Sequence, residues 1–206
     1  MFYITKVEDH VRVEPKLFGM PTAEAVENQL RETYSNYYDK ELGKVVAVIE
    51  VLNVGEGIII PGDGATYYRS NFILLTWKPE LQELIFGMIS EITTFGAFIN
   101  MGVMQGMIHI SQTMEDYVSF SKSNSLSGKA SKRTLKAGDT CLARIVAISH
   151  KGEEPKIGLT MRQSGLGKLE WIKEDVMKKQ REIAKATKIE ERAVKSHGEK
   201  KGGKKK

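Results

Sequence analysis

Thr94-Phe95-Gly96-Ala97-Phe98-Ile99 and Gly106-Met107-Ile108-His109-Ile110-Ser111 decide the reading of this chain. Each is a short apolar run with alternating character and a glycine at its edge, the pattern of a strand beside a tight turn. Leu84 to Ile89 precedes them. Gly138 to Ile148 and Lys156 to Thr160 follow after a polar gap. Five such runs in about eighty residues predict a small closed Greek-key barrel of the OB type. Gly87, Gly96, Gly106 and Gly158 sit in or beside the runs, where a missing Cβ permits the coiling that closure needs.

Phe95 and Phe98 flank Gly96-Ala97, and His109 follows on the next strand. The face of strands two and three is the ligand face of an OB barrel. Aromatic rings there stack on unpaired bases at about 1–3 kcal/mol per base. Burial inside the barrel is the competing role for one of the two rings, and a structural hydrogen bond is the competing role for His109. Residues 81–163 resemble the S1 motif, an RNA-binding OB domain. The resemblance implies RNA contacts at Phe95, Phe98, His109 and Lys156. Ser149 stands where that family has an acidic residue, so no acidic contact carries over.

The charge is uneven along the chain. Residues 1–80 hold 8 Lys/Arg against 12 Asp/Glu, residues 81–165 hold 9 against 7, and residues 166–206 hold 14 against 7. A polyanion is expected to prefer the C-terminal half and a protein partner the N-terminal half. No apolar run is long enough to cross a bilayer. Met1 to Asp9 reaches charge at once, unlike a secretory signal. Cys141 is the single cysteine and lies in an apolar run, which excludes an intrachain disulfide and a cysteine metal cluster. A cytoplasmic location is the default expectation. His10, His109, His150 and His197 are scattered, and the acids fall mainly on helices and termini. No catalytic site, metal site or cofactor is expected from this pattern.

Residues 2–13 read as a strand with an irregularity near Glu8-Asp9. Leu17, Phe18 and Met20 follow on a loop between Pro15 and Pro21. They either face a partner or tuck beneath the next helix. Pro21-Thr22 opens that helix, with Val26, Leu30, Tyr34 and Tyr37 on one face and an end by Gly43. Val45–Leu52, Gly57–Ile60 and Thr66–Trp77 read as strands around the turn Pro61-Gly62-Asp63-Gly64. The expected class is α+β: a helix on an antiparallel sheet over 1–79, an S1-type barrel over 80–165, and a helix with a basic tail over 166–206. The insertion within the barrel is expected to hold a short helix or turn at Asp116–Phe120. Beyond it, Ser121–Arg133 reads as a loop whose Lys122, Lys129, Lys132 and Arg133 either touch phosphates or are simply solvated. Lys168 to about Lys188 reads as a helix with Leu169, Ile172, Val176 and Ile183 on one stripe, docked by Trp171. The glycine- and lysine-rich end, 198–206, adds non-specific attraction to nucleic acid.

Taken together, Met1-Phe2-Tyr3, Pro15–Gly19, Gly55-Glu56-Gly57, Pro61–Gly64 and the 116–133 insertion resemble the archaeal E-prime family of DNA-directed RNA polymerase subunits. That family is the counterpart of the seventh subunit of eukaryotic RNA polymerase II. The resemblance spans nearly the whole chain except the lysine tail. It implies a non-catalytic stalk subunit that docks on the polymerase core and forms a heterodimer with the small helical F subunit. It also implies binding of single-stranded nascent RNA, in support of initiation, elongation and termination. By the same resemblance, the docking residues are Lys16, Leu17, Phe18, Gly19, Gly62, Asp63 and Gly64. The alternative is an S1-domain translation factor or exosome subunit, which leaves the N-terminal half unexplained. A nuclease with the barrel as a clamp is opposed by the missing acid cluster.

Overall fold

A computed structural model describes residues 1–121, 124–152 and 154–199. In chain order the elements are β1 (Phe2–Val13), α1 (Thr22–Thr33), β2 (Tyr38–Asp39), β3 (Gly43–Ile59) and β4 (Thr66–Trp77), then β5 (Leu84–Thr93), β6 (Gly96–Asn100) and β7 (Gln105–His109). The insertion carries β8 (Val118–Ser121), β9 (Ser125–Gly128) and β10 (Thr134–Lys136). They are followed by β11 (Thr140–Ser149), β12 (Lys156–Thr160), β13 (Gly167–Lys168) and α2 (Leu169–Glu199).

The N-terminal sheet has the order β1-β4-β3-β2, and α1 covers one face. Val26 and Leu30 recur one helical turn apart, so both project from the same side of α1. They bury against Val11, Val13, Val45, Phe72 and Leu74. The expected irregularity in the first strand is absent. β1 pairs with β4 without a break, from Phe2 opposite Trp77 to Val13 opposite Thr66. Glu8 and Asp9 stay in register because their carboxylates find partners beside the sheet, Glu8 at Arg69 and Asp9 at the Tyr34 hydroxyl, 3.3 Å away. The irregularities lie on β3, which is one long strand rather than two. Its register shifts four times against β4, which bends it around α1. α1 stops at Thr33, so Tyr34 and Tyr37 lie just past it. Tyr34 packs on Phe72, and Tyr37 sits edge-on to Tyr34.

The second sheet closes on itself. β5, β6, β7, β12 and β11 pair in that ring order, with β7 and β12 parallel and β11 back beside β5. The result is the expected five-stranded barrel. Ile89, Ile99, Ile108, Ala143, Ile145 and Leu159 fill it as the inward members of alternating strands. Gly96 admits β7: a Cβ there would lie 2.1 Å from the Ile108 carbonyl oxygen. Cys141 is buried, and desolvation pushes its thiol up to about 12, leaving it an inert core residue.

The insertion corrects the sequence-based expectation. Where a short helix or turn and then an open loop were predicted, β8, β9 and β10 form an antiparallel meander. Two leucines in this polar stretch explain it. Leu126 and Leu135 are fully buried in the barrel core, so the meander plugs one barrel end. Asp116 pins its turn. Oδ2 accepts from the amides of Ala130 and Ser131 at 2.7 and 2.8 Å, and Oδ1 accepts from Tyr117 at 2.6 Å. The Ser131 and Ala130 amides, which favour the ionised form, hold the Asp116 carboxyl below its ordinary range. Gly128 makes room, since a Cβ there would approach Asp116 Oδ2 to 2.7 Å.

The two cores are braced. The Lys44 ammonium, almost fully buried, meets Glu154 at 2.5 Å, and the Tyr38 hydroxyl meets His150 Nδ1 at 2.9 Å. Both contacts join the N-terminal sheet to the segment between β11 and β12. Trp77 ends β4 and packs in the barrel core. Trp171 anchors the first turns of α2, as expected, and the helix continues to Glu199, well beyond Lys188.

Candidate nucleic-acid interface

Strand alternation sends Ala97 and Ile99 of β6 inward and Phe98 outward, and on β7 it sends Gly106 and Ile108 inward and His109 outward. Phe98 stands opposite Met107, and Gly96 opposite His109. Phe95 lies in the turn before β6, half exposed, with its ring perpendicular to that of Phe98 at 6.1 Å. Neither ring is in the core, so the choice between core and face falls to the face for both. His109 is exposed. Its Nδ1 accepts the Ser111 amide at 3.3 Å and lies 2.8 Å from the Ser111 hydroxyl. An accepting Nδ1 leaves the proton on Nε2, so the neutral ring offers a donor outward.

Lys156 opens β12, exposed, opposite Ser149 of β11. Ile157 pairs with Gly106, which sets Lys156 beside Gln105 at the start of β7. Four residues of strand, about 13 Å, separate that position from His109. Phe95, Phe98 and His109 thus form one cluster and Lys156 a separate positive end of the same face. Met107 lies between them. It was not singled out in the sequence; its signal was its outward place in the β7 alternation.

The cations of the insertion divide. Lys129 sits over the Tyr117 ring, 4.5 Å from its centroid. Lys132 is exposed at a backbone φ of 55°. Arg133 is engaged: it pairs with Asp175 of α2 and lies 5.6 Å from the Trp171 ring. Its visible role is to tie the insertion to α2. Lys122 lies outside the described residues, as do residues 200–206 of the basic tail.

At the opposite end, the loop after β1 and the turn before β4 adjoin, for a Cβ on Gly64 would lie 3.8 Å from Pro15. Asp63 accepts two hydrogen bonds from Arg12, at 2.8 and 3.0 Å, and one from the Tyr67 hydroxyl at 2.7 Å. The Arg12 guanidinium, with Tyr67, holds that carboxyl well below the usual carboxylate range. Lys16 pairs with Glu14 and Glu32 at 3.0 and 3.1 Å. Leu17 tucks against the core, whereas Phe18 and Met20 stay about half exposed, so the loop splits between its two expected roles. Gly19 and Gly62 have open space where a Cβ would be. Ile58, Ile59 and Ile60 join this surface. They were read only as strand residues, although three consecutive isoleucines beside a turn leave at least one on the outer side.

Among the described residues, no cluster of three or more His, Cys, Asp or Glu is placed to hold a metal ion. No helix is long and apolar enough to cross a membrane. Residues 8–64 match the family described as "SHS2 domain found in N terminus of Rpb7p/Rpc25p/MJ0397", and residues 78–159 match the S1 RNA binding domain. The DNA-directed RNA polymerase subunit Rpo7 of Saccharolobus solfataricus is 38% identical over 84% of this chain and 97% of its own length. Rpo7 of Sulfolobus acidocaldarius is 37% identical over 86% of this chain and 98% of its own. RPC8, a subunit of RNA polymerase III in Saccharomyces cerevisiae, is 32% identical over 55% of this chain and 54% of its own.

Proposed function

This chain belongs to the Rpo7 family of DNA-directed RNA polymerase subunits, and we propose that it is a non-catalytic stalk subunit that guides emerging RNA. In this reading residues 1–79 dock on the polymerase core, residues 80–165 hold the transcript, and α2 extends from the barrel. The observation that carries it is the outward cluster of Phe95, Phe98 and His109 with Lys156 on the same face. Outward-facing rings and a donor, with a cation farther along the same face, match single-stranded RNA, whose bases stack and whose phosphates are negative. Lys129 and Lys132 extend the positive surface, and Lys122 is assigned to it by sequence alone.

Core docking is assigned to the opposite end. Phe18, Met20 and Ile58–Ile60 supply apolar area there, and the charged Arg12, Asp63, Lys16 and Glu14 are already paired with one another. Pairing with the small helical F subunit draws on a third surface. Leu84, Phe86 and Met88 point outward from β5 in an exposed apolar row beside Leu81. Opposite Leu84, Arg144 has a buried Nε with no hydrogen-bond partner among the described residues, which a carboxylate or carbonyl of a partner would satisfy. Support for initiation, elongation and termination follows from a grip on the transcript, and a cytoplasmic site follows from the company of the polymerase.

The test is recovery of the tagged chain from its native cells. Large polymerase subunits and one small helical subunit are expected beside it. Ribosomal or exosome proteins in their place would sink the transcription reading while leaving the barrel intact.

A further inference from the structure

α2 runs well past the point where it is anchored to the barrel. Its first turns are held by Trp171, Arg133 and Asp175. From Val176 to Lys185 every residue is exposed, on all sides of the helix. A helix exposed all round has left the body of the protein, and the α2 backbone stays helical to Glu199. Its sequence is not that of an ordinary solvated helix, where both signs of charge alternate on each side. Lys178, Arg181, Lys185, Lys188, Arg192 and Lys195 follow one another at spacings of three and four residues. At 3.6 residues per turn these six positions form one stripe, about 26 Å long, with a cation every 5 Å or so.

The acids of the same span, Glu182, Glu190 and Glu191, fall about a quarter turn or more from the centre of that stripe. No ion pair among the described residues engages Lys178, Arg181 or Lys185. The apolar positions Ile172, Val176 and Ile183 lie on the opposite side, interrupted by Lys179 and Glu190. That interruption is unsuited to a membrane surface, which requires a continuous apolar face. The helix starts at the barrel end that carries Phe95, His109 and the insertion, because β13 runs beside Leu142 and Cys141 toward the start of β11.

We propose that the outer part of α2 is an RNA-backbone arm: the Lys178-to-Lys195 stripe takes the phosphates of single-stranded RNA that extends beyond the barrel face. The arm is electrostatic and reads no sequence, since cations at helical spacing reach phosphates and not base edges. The proposal rests on the barrel face binding RNA only for the polarity of the path; the stripe's affinity is independent of it.

The experiment uses the full chain and oligouridine of about 10 and about 30 nucleotides, since one OB fold covers about 4–16. All six stripe residues are changed to Gln (Lys178→Gln, Arg181→Gln, Lys185→Gln, Lys188→Gln, Arg192→Gln, Lys195→Gln), which keeps helix propensity, and helicity is checked by circular dichroism. The long RNA is expected to bind about tenfold more weakly or worse, with a salt slope lower by about 4, from about 0.7 for each phosphate contact on single strands. The short RNA and a Lys179→Gln control should be unchanged. An unaltered salt slope for the long RNA overturns the proposal. So does wild-type binding to phosphatidylserine vesicles at salt concentrations where the long RNA is released. A parallel Phe98→Ala chain separates the two readings: loss of short-RNA binding with the length-dependent gain intact supports both, and an unchanged short-RNA affinity rejects the barrel face while the stripe variant still decides the arm.

Discussion

The two ends of this molecule expose apolar side chains in different company. At the tip, Phe18, Met20 and Ile58–Ile60 stand beside charges that are already spent: Arg12 on Asp63, Lys16 on Glu14 and Glu32. On the barrel face, Phe95 and Phe98 cluster with His109, whose Nδ1 is taken up by Ser111, and Lys156 stands exposed at the other end of the same face with no ion pair among the described residues. The first arrangement rewards a partner that removes apolar area from water and offers no new charges. The second rewards a partner with flat bases and negative phosphates. Exposure of aromatic or aliphatic surface alone does not separate the two proposed functions; the state of the neighbouring charges does.

The largest effect is expected where that contrast is broken at the tip. Phe18→Asp together with Ile59→Asp places carboxylates in a contact area without free cations. A hot-spot loss of about 2–4 kcal/mol, or roughly thirtyfold to a thousandfold, is expected in binding to polymerase core, read by reconstitution. RNA affinity should stay within about twofold. Retained association would remove the tip from docking.

Next is Phe98→Ala. Loss of one stacking ring is expected to weaken single-stranded RNA binding by about 1–3 kcal/mol, some fivefold to 150-fold. The melting temperature should hold, since Phe98 is not a core residue. A drop in stability without a change in RNA affinity would reverse the assignment.

Lys156→Ala is expected to act more gently, lowering the salt slope of RNA binding by about 0.7, the share of one phosphate contact. An unchanged slope would place Lys156 outside the RNA path.

The smallest effect concerns the insertion. Asp116 titrates below the ordinary range when folded, so the order it provides is present above about pH 4 and is lost as pH falls through its lowered value. Asp116→Asn should raise amide exchange over 124–136 at neutral pH and flatten its acid dependence. Exchange confined to global unfolding in both proteins would show that the buried leucines suffice.

The barrel was legible because its evidence is local. Alternation in β5, β6, β7, β11 and β12, with glycines at close approaches such as Gly96, is written in consecutive residues. The rings and His109 were singled out by their place in the S1-like motif, but the side each faces stayed open until the strands set Phe98 and His109 outward and Phe95 in the turn before β6. The insertion was misread because its order depends on distance. Asp116 holds amides fourteen and fifteen residues away, and Leu126 and Leu135 matter only once a barrel end is there to receive them. The pairing of Arg133 with Asp175 spans 42 residues, and nothing in either local sequence announces it. Ile58–Ile60 belong to a strand by pattern and to the tip surface by topology, which only the sheet reveals.

The most direct test places 4-thiouridine in the transcript of a polymerase reconstituted with this chain and maps the protein residues that crosslink. The account predicts crosslinks on β6, β7 and β12, around Phe95, Phe98 and His109, and none at Phe18 or Ile59, which should be covered by core subunits. Crosslinks at the tip with a silent barrel face would contradict it.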